Sequence, residues 1–234
     1  MTDNELILRS TTEAHVERLK LGEPTAEHAG PVPPQLPNRV PTRTAEQTLA
    51  LPAVIDMARR RTRTEGFRGA VVLASRDHNR ITVYSQYDAG ARPPAPVAGA
   101  VEEAGIPVRT LDRRTYDLVW RAGHEDPTIV SLRRSPLVHF GLFTVLDNQA
   151  DALLAKIEAS APASLVTPGL RTINFHRSHD AQRMINFGTW STFDEMHVLL
   201  DQPGFTPGEK YHHGLAVFEN DYFDVIDVVT GSDA

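Results

Sequence analysis

The run Met184-Ile185-Asn186-Phe187-Gly188-Thr189-Trp190 offers the clearest chemistry in this sequence. Read as a strand, it places Met184, Asn186, Gly188 and Trp190 on one face. An amide that donates and accepts, a bare glycine and an indole that only donates then stand in a row. A face that merely filled a core would carry Val, Ile or Leu. A glycine between two polar groups instead leaves the room that a ligand needs. The competing reading is a buried Asn satisfied by backbone beside a packed Trp, and spacing alone does not choose between them.

Other reactive side chains surround this strand in sequence. His176 and His179 precede it, and Tyr211-His212-His213 follows a Gly- and Pro-containing stretch, 202–209, that reads as a loop and a lid. With Asp224 or Asp227 these histidines could in principle ligate a metal, but no HxxE, HxH or HExxH spacing appears and no metal is expected. A single histidine acting as general acid or base fits better, because its pKa lies near working pH. The chain has no cysteine, which excludes thiolate nucleophiles, disulfides and thiolate-held metals. No GxGxxG follows a strand and no P-loop occurs, so a Rossmann-bound cofactor and ATP are unsupported. A flavin remains admissible as a diffusible reduced cosubstrate, with Arg171, Arg177 and Arg183 as candidates for its phosphates. Arginines on an exposed hairpin are also commonly just solvated.

These groups must be positioned by strands and helices, and the pattern predicts them. Leu137–Leu146 reads as a strand, and Asp147 or Asn148 caps a helix whose face is Ala150, Leu153, Leu154, Ile157 and Ala161. Leu170–Arg177 and Arg183–Trp190 form a hairpin around Ser178-His179-Asp180. Thr192 with Glu195 resembles a capping box opening a helix with Phe193, Met196, Leu199 and Leu200 inward. Tyr222–Val229 is the last strand. The order is β-α-β-β-α-β, an α+β, ferredoxin-like arrangement.

The first half repeats this plan less clearly. A helix at about Leu51–Arg61, with Pro52 in its first turn, precedes strands Gly69–Ser75 and Arg80–Tyr87 around the turn Arg76-Asp77-His78-Asn79. A helix at Val97–Ala104 and strands at Tyr116–Arg121 and Thr128–Leu132 follow. A shift of 103 positions lays Gly66–Tyr87 on Gly169–Trp190 without a gap. Gly66, Arg68, Ser75, Asp77 and Arg80 then fall on Gly169, Arg171, Ser178, Asp180 and Arg183. The aromatics Tyr84 and Tyr87 fall on Phe187 and Trp190. Five identities in 22 positions, with matching element order on both sides, indicate duplication. The expected division is therefore an arm at 1–44, a degenerate first domain at 45–134, and a second domain at 135–234 carrying the site. Within the arm, Leu6–Leu8 reads as a short strand and Glu13–Leu21 as a short helix. Pro31–Pro41, with five prolines in eleven residues, reads as an extended surface segment that could cross to a second subunit.

At 234 residues, 41% hydrophobic and 23% charged, the chain has enough apolar surface for a proper core. Its formal net charge of −6 and lack of a basic block argue against nucleic acid as a partner. Arg59-Arg60-Arg61 reads as the polar side of a helix. No apolar run approaches the roughly 20 residues that span a bilayer. The acidic start Met1-Thr2-Asp3-Asn4-Glu5 lacks a signal-peptide pattern, so a cytoplasmic protein is expected.

Gly169 through Trp190, ending in Met-Ile-Asn-Phe-Gly-Thr-Trp, resembles the central hairpin of the antibiotic biosynthesis monooxygenases. The shared features are a glycine opening the hairpin, Asn and Trp four residues apart, and a helix after them. The resemblance covers about Leu137 to Val229, is fainter over Thr44 to Leu132, and is absent before that. It implies a dimeric α+β barrel that oxidises anthrones and phenols of aromatic polyketide pathways with O2. It further implies that Asn186 orients the substrate oxygen and Trp190 hydrogen-bonds oxygen or a dioxygen-derived species. An aromatic hydroxyl frequent on the following helix is replaced near Met196, which leaves His197, His176 or Tyr211 for proton transfer. Val83 and Tyr87 replace the Asn and Trp in the first copy. Two-domain chains of this kind include oxygenases that open or contract the B ring of angucyclines with reduced flavin (FADH2), so a flavin reductase and a second copy of the chain are the partners this resemblance allows. A polyketide cyclase or isomerase on the same barrel, and a non-catalytic binding protein, are the competing functions.

Overall fold

Alternation with a period of two dominates the chain, and in the computed structural model it builds a barrel. The structure describes residues 4–22, 43–76, 79–92, 94–200 and 211–231, with the side chains of 197–200 set aside. In chain order the elements are β1 (Leu6–Leu8), β2 (Thr12–Leu21), α1 (Ala45–Arg60), β3 (Phe67–Ser75), β4 (Arg80–Asp88), α2 (Val97–Glu103) and β5 (Val108–Gly123). Then come β6 (Thr128–Val130), β7 (Leu137–Val145), α3 (Ala150–Ser160), β8 (Leu170–Ser178), β9 (Arg183–Trp190), α4 (Phe193–Leu200) and β10 (Ala216–Thr230).

Eight of the described strands close a barrel in the order β10-β3-β4-β2-β5-β8-β9-β7. The run β2-α1-β3-β4-α2-β5 and the run β7-α3-β8-β9-α4-β10 have the same internal connectivity. In each, the first strand lies between the third and the fourth, and the second pairs with the third. This is the ferredoxin-like arrangement. Two long strands join the runs. β5 pairs with β2 through residues 108–117 and with β8 through residues 116–123. β10 pairs with β7 through 216–224 and with β3 through 223–230.

Closure gives every strand an interior and an exterior face, and both are largely buried except along β5 and the start of β10. Val16, Val71, Leu73, Tyr84, Phe140, Phe187 and Phe223 fill the interior, where Leu6, Leu8 and Val130 of the β1–β6 ribbon join them. The exterior of the first run packs on α1 and α2 through Leu19, Val54, Val72, Val83 and Val101. The exterior of the second run packs on α3 and α4 through Phe143, Leu153, Ile157, Phe175, Trp190 and Met196. No helix among the described residues is long and apolar enough to cross a membrane.

Three sequence expectations change. Glu13–Leu21 is strand, not helix, and lies between β4 and β5 inside the barrel sheet, so the segment 1–44 is not simply an arm. Its charges at positions 13, 17 and 20 mimic helical spacing because Glu17 is buried against an arginine and not exposed. Helix α1 starts at Ala45, capped by the reciprocal pair Thr44 and Gln47, so Pro52 is interior. Pro52 and Thr48 are both exposed, so the carbonyl that Pro52 cannot serve lies on the solvent side of the helix. Pro31–Pro41 and the turn residues Asp77 and His78 lie outside the described residues.

Candidate functional site

The face predicted from β9 exists as expected. Met184, Asn186, Gly188 and Trp190 look outward from the barrel toward α3 and α4, while Ile185 and Phe187 look inward. Gly169, which opens the hairpin, has φ 78°, and the place of its missing Cβ is filled by Glu195. Glu195 is held there by Ser191 at 2.5 Å and Thr192 at 2.8 Å, and its own N–H donates to Thr192 Oγ1. The glycine and the cap of α4 thus fit each other, which fixes α4 over Trp190.

Trp190 is 2% exposed, yet its Nε1–H has no acceptor among the described residues; Asn186 Oδ1, also buried, has no donor. Leaving such groups unmet costs about 1–3 kcal/mol each. Two orphans on one strand face, separated by a glycine, are what a polar ligand would satisfy.

Strand β7 completes the floor. Its Leu137, His139 and Gly141 stand opposite Trp190, Gly188 and Asn186. A Cβ on Gly188 would meet Trp190 Nε1 at 3.6 Å and His139 Nδ1 at 3.7 Å, so both nitrogens border the same point above the glycine. His139 Nε2 bonds to Asn220 Oδ1, and Asn220 Nδ2 donates to the Tyr222 hydroxyl at 2.7 Å. The Tyr222 ring stacks on the imidazole, with centroids 5.3 Å apart and planes 30° from parallel. Because Asn220 offers its oxygen to His139, Nε2 carries the proton and Nδ1 the lone pair. Burial lowers the His139 pKa to about 4, against smaller upward pulls from Asn220 and Asp221. At neutral pH the imidazole is uncharged.

Of the other residues expected from sequence, Tyr211 packs near this face, its ring 6.0 Å from that of Phe143, and burial raises its hydroxyl pKa. His197 lies on α4, with its side chain outside the described set. His176 is on the wrong face: it points into the barrel, paired with Ile185, and its Nε2 meets the Tyr84 hydroxyl at 2.9 Å. Burial depresses its pKa to about 3. The arginines are dispersed. Arg171 is paired with Glu125 and Arg177 with Asp151 at 2.8 Å, at opposite ends of β8, while Arg183 starts β9. They do not form a cradle for flavin phosphates. Most of the expected lid, 202–213, lies outside the described residues.

His139, Asn220 and Tyr222 escaped the sequence reading, although a signal existed for the first. His139 and Gly141 interrupt an apolar strand on alternate positions, whereas Asn220 and Tyr222 sit in or beside the polar run Glu219–Asp221 and carry no such signal.

The first run shows what happens when the same space is filled. By register His15 stands opposite Ser85, as His139 stands opposite Gly188, and Glu17 opposite Val83, as Gly141 stands opposite Asn186. Glu17 forms a buried ion pair with Arg61, and its second oxygen accepts from the Val97 N–H at 2.8 Å. Arg61 also donates to Ser85 Oγ at 2.9 Å and to the Ala95 carbonyl at 3.0 Å. A carboxylate–guanidinium plug occupies the region that Gly188 leaves bare in the second run, where the Phe218 ring covers Gly141. Separately, Glu13, Asp117 and His179 bring ligand atoms within 4.8 Å of one another at the β2–β5 edge.

No family model matches the chain, and no curated protein matches it. Solved structures do. An anthrone oxidase-like protein superposes over 98% of this chain and 97% of its own, with a TM-score of 0.67 and 10% identity. A candidate monooxygenase from Fusobacterium nucleatum subsp. nucleatum covers 95% and 96%, with a TM-score of 0.58 and 9% identity. A protein described as a major regulator of staphylococcal pathogenesis covers 92% and 99%, with a TM-score of 0.54 and 6% identity. At these identities the likeness establishes the fold.

Proposed function

We propose that this chain is an oxygenase that holds a phenolic or anthrone-type ring of an aromatic polyketide against the Asn186–Trp190 face and oxidises it with O2. The observation that carries the reading is the pair of buried orphans, Asn186 Oδ1 and Trp190 Nε1, flanking the bare Gly188. A substrate hydroxyl donating to Asn186 and an oxygen accepting from Trp190 would satisfy both. The names of the anthrone oxidase-like and monooxygenase neighbours agree with it. In this reading the two βαββαβ runs are two copies of one unit, the first closed by Glu17 and Arg61 and the second active.

The chemistry needs little from the protein. A deprotonated anthrone is electron-rich enough to reduce O2 itself. Anthrone plus O2 gives the quinone plus water, one oxygen atom entering the ring carbonyl and the other leaving as water, with no external reductant. The site holds the ring, stabilises the oxyanion by fixed dipoles and keeps water out. Hydroxylation or ring opening would draw two further electrons from a cosubstrate such as reduced flavin.

Oxygen uptake with anthrone and with an angucyclinone, each with and without reduced flavin, tests the proposal. Protein-dependent uptake on anthrone without flavin, or oxygenated product from the angucyclinone with reduced flavin, supports an oxygenase. Ligand-induced change in tryptophan fluorescence without any oxygen uptake would replace it by a cyclase or binding protein.

A further inference from the structure

We infer that His139 is the residue that takes the hydroxyl proton from the bound phenol or enol, through its Nδ1. The inference rests on the oxygenase reading for its substrate class, but its geometry stands on its own. Trp190 Nε1 and His139 Nδ1 both border the point where Gly188 lacks a Cβ, at 3.6 and 3.7 Å. One is a donor with no acceptor among the described residues, and the other is a lone pair. A hydroxyl placed beside that point accepts from the indole N–H and donates to the imidazole, which uses both of its functions.

The tautomer is set from behind. Asn220 turns its Nδ2 to the Tyr222 hydroxyl and its oxygen to His139 Nε2, and in that orientation Nε2 is the nitrogen that donates. A base whose far nitrogen is so held is oriented as well as polarised, and stacking on Tyr222 fixes the ring plane. In the step, the O–H bond of the phenol, or of the enol tautomer through which anthrone reacts, breaks, its electron pair stays on oxygen and the proton bonds to Nδ1. The result is an enolate or phenolate between an imidazolium and an indole N–H. Burial keeps the free imidazole neutral but also weakens it as a base, so the transfer depends on the new oxyanion being held between the imidazolium and the Trp190 N–H. The titratable groups facing it are Tyr222 on β10, and Asp221 next to it, which is itself paired with Arg80 at 2.9 Å and with Arg18 at 3.7 Å. His212 lies on the same side of the sheet, beside Phe218. Strand β9 presents only the uncharged Gly188, Asn186 and Trp190.

His176, Tyr211 and His197 were the sequence candidates for this role. His176 faces the barrel interior, and among the described residues His139 is the imidazole brought beside Trp190 Nε1.

The test separates this step from oxygen chemistry by working under nitrogen. Anthrone is titrated with the full chain at pH 7, and its enolate absorption is read together with quenching of tryptophan fluorescence. The wild type is expected to show the enolate band. His139→Gln is expected to bind anthrone within about threefold of wild type while losing the band at least tenfold, with recovery only as the pH approaches that at which free anthrone ionises. Asn220→Leu, which leaves the imidazole in place but frees its tautomer, should show an intermediate loss, and guards against misfolding of the first variant. An undiminished band in His139→Gln, or no band in the wild type, overturns the inference. A wild-type band that depends on His139, without oxygen uptake when air is admitted, would sink the oxygenase proposal and leave this assignment standing. Oxygen uptake unaffected by His139→Gln would do the reverse.

Discussion

Gly188→Ala is the sharpest perturbation of the site, because the structure separates its effect on function from its effect on folding. The added methyl would lie 3.6 Å from both Trp190 Nε1 and His139 Cβ, ordinary van der Waals distances, and the glycine is not in a left-handed conformation. Nothing has to move. Replacing the glycine also restricts the unfolded chain, so stability should stay level or rise by about 0.4–1 kcal/mol. The methyl nevertheless occupies the space beside which a substrate oxygen must sit to reach within about 3 Å of either nitrogen. Losing two hydrogen bonds in a water-poor site, at about 1–3 kcal/mol each, totals roughly 2–6 kcal/mol. On a scale of about 1.4 kcal/mol per tenfold, turnover should fall by roughly 30-fold at the least and up to about 10⁴-fold. The assay pairs oxygen uptake on anthrone with thermal unfolding of the same preparation. Wild-type turnover in a folded Gly188→Ala protein would refute the placement of the substrate oxygen. A marked fall in melting temperature would refute the claim that the space is free.

Three further outcomes are expected. Asn186→Ala removes an orphaned acceptor and should cost roughly 10²-fold in turnover with no loss of stability, whereas Val83→Ala, at the matching place in the first run, should leave turnover of the folded protein intact; product formation and unfolding of both variants check this. Arg61→Ala strips the buried Glu17, about 3% exposed, of its close partner and leaves it Arg113 at 3.7 Å and the Val97 N–H, so it should destabilise by about 3 kcal/mol in urea unfolding while turnover per folded molecule is unchanged. Acidification should weaken the fold through His176, whose folded pKa of about 3 lies below its unfolded value of about 6.5. The unfolded chain takes the proton first, so this contribution is complete above pH 6.5, declines as pH falls toward 3 and levels off below. Its slope is at most about 1.4 kcal/mol per pH unit, and His176→Gln should remove that slope from a pH series of urea midpoints.

The β9 face was legible because alternation is a local property and Asn186, Gly188 and Trp190 depart from it in residue type. The hairpins and the last three helices were legible for the same reason. Glu13–Leu21 was not, since a strand buried on both faces has no polar side to alternate with, and its buried Glu17 reads as a surface charge until Arg61 is seen beside it. His139 was passed over because its value depends on register. Opposite Gly188 it borders the site, and one position along it would point into the barrel. His176 failed by that same parity: it has the right chemistry one residue out of phase. Asn220 and Tyr222 matter only through β7 pairing with β10, a contact about 80 residues apart in sequence that no local pattern announces.

The double role of β10 orders events during synthesis. It pairs with β3 on one side and β7 on the other, so until it emerges both of those strands have bare edges open to strand addition by another chain. About 140 residues separate β3 from β10, which at cellular elongation rates is a delay on the order of ten seconds. The nascent chain thus carries both bare edges from the emergence of β7 until β10 arrives. The strand that ends this exposure also carries Asn220 and Tyr222, which hold the His139 ring. Sealing the sheet and orienting the imidazole are therefore one event, and a partly made chain has neither a closed barrel nor an armed base.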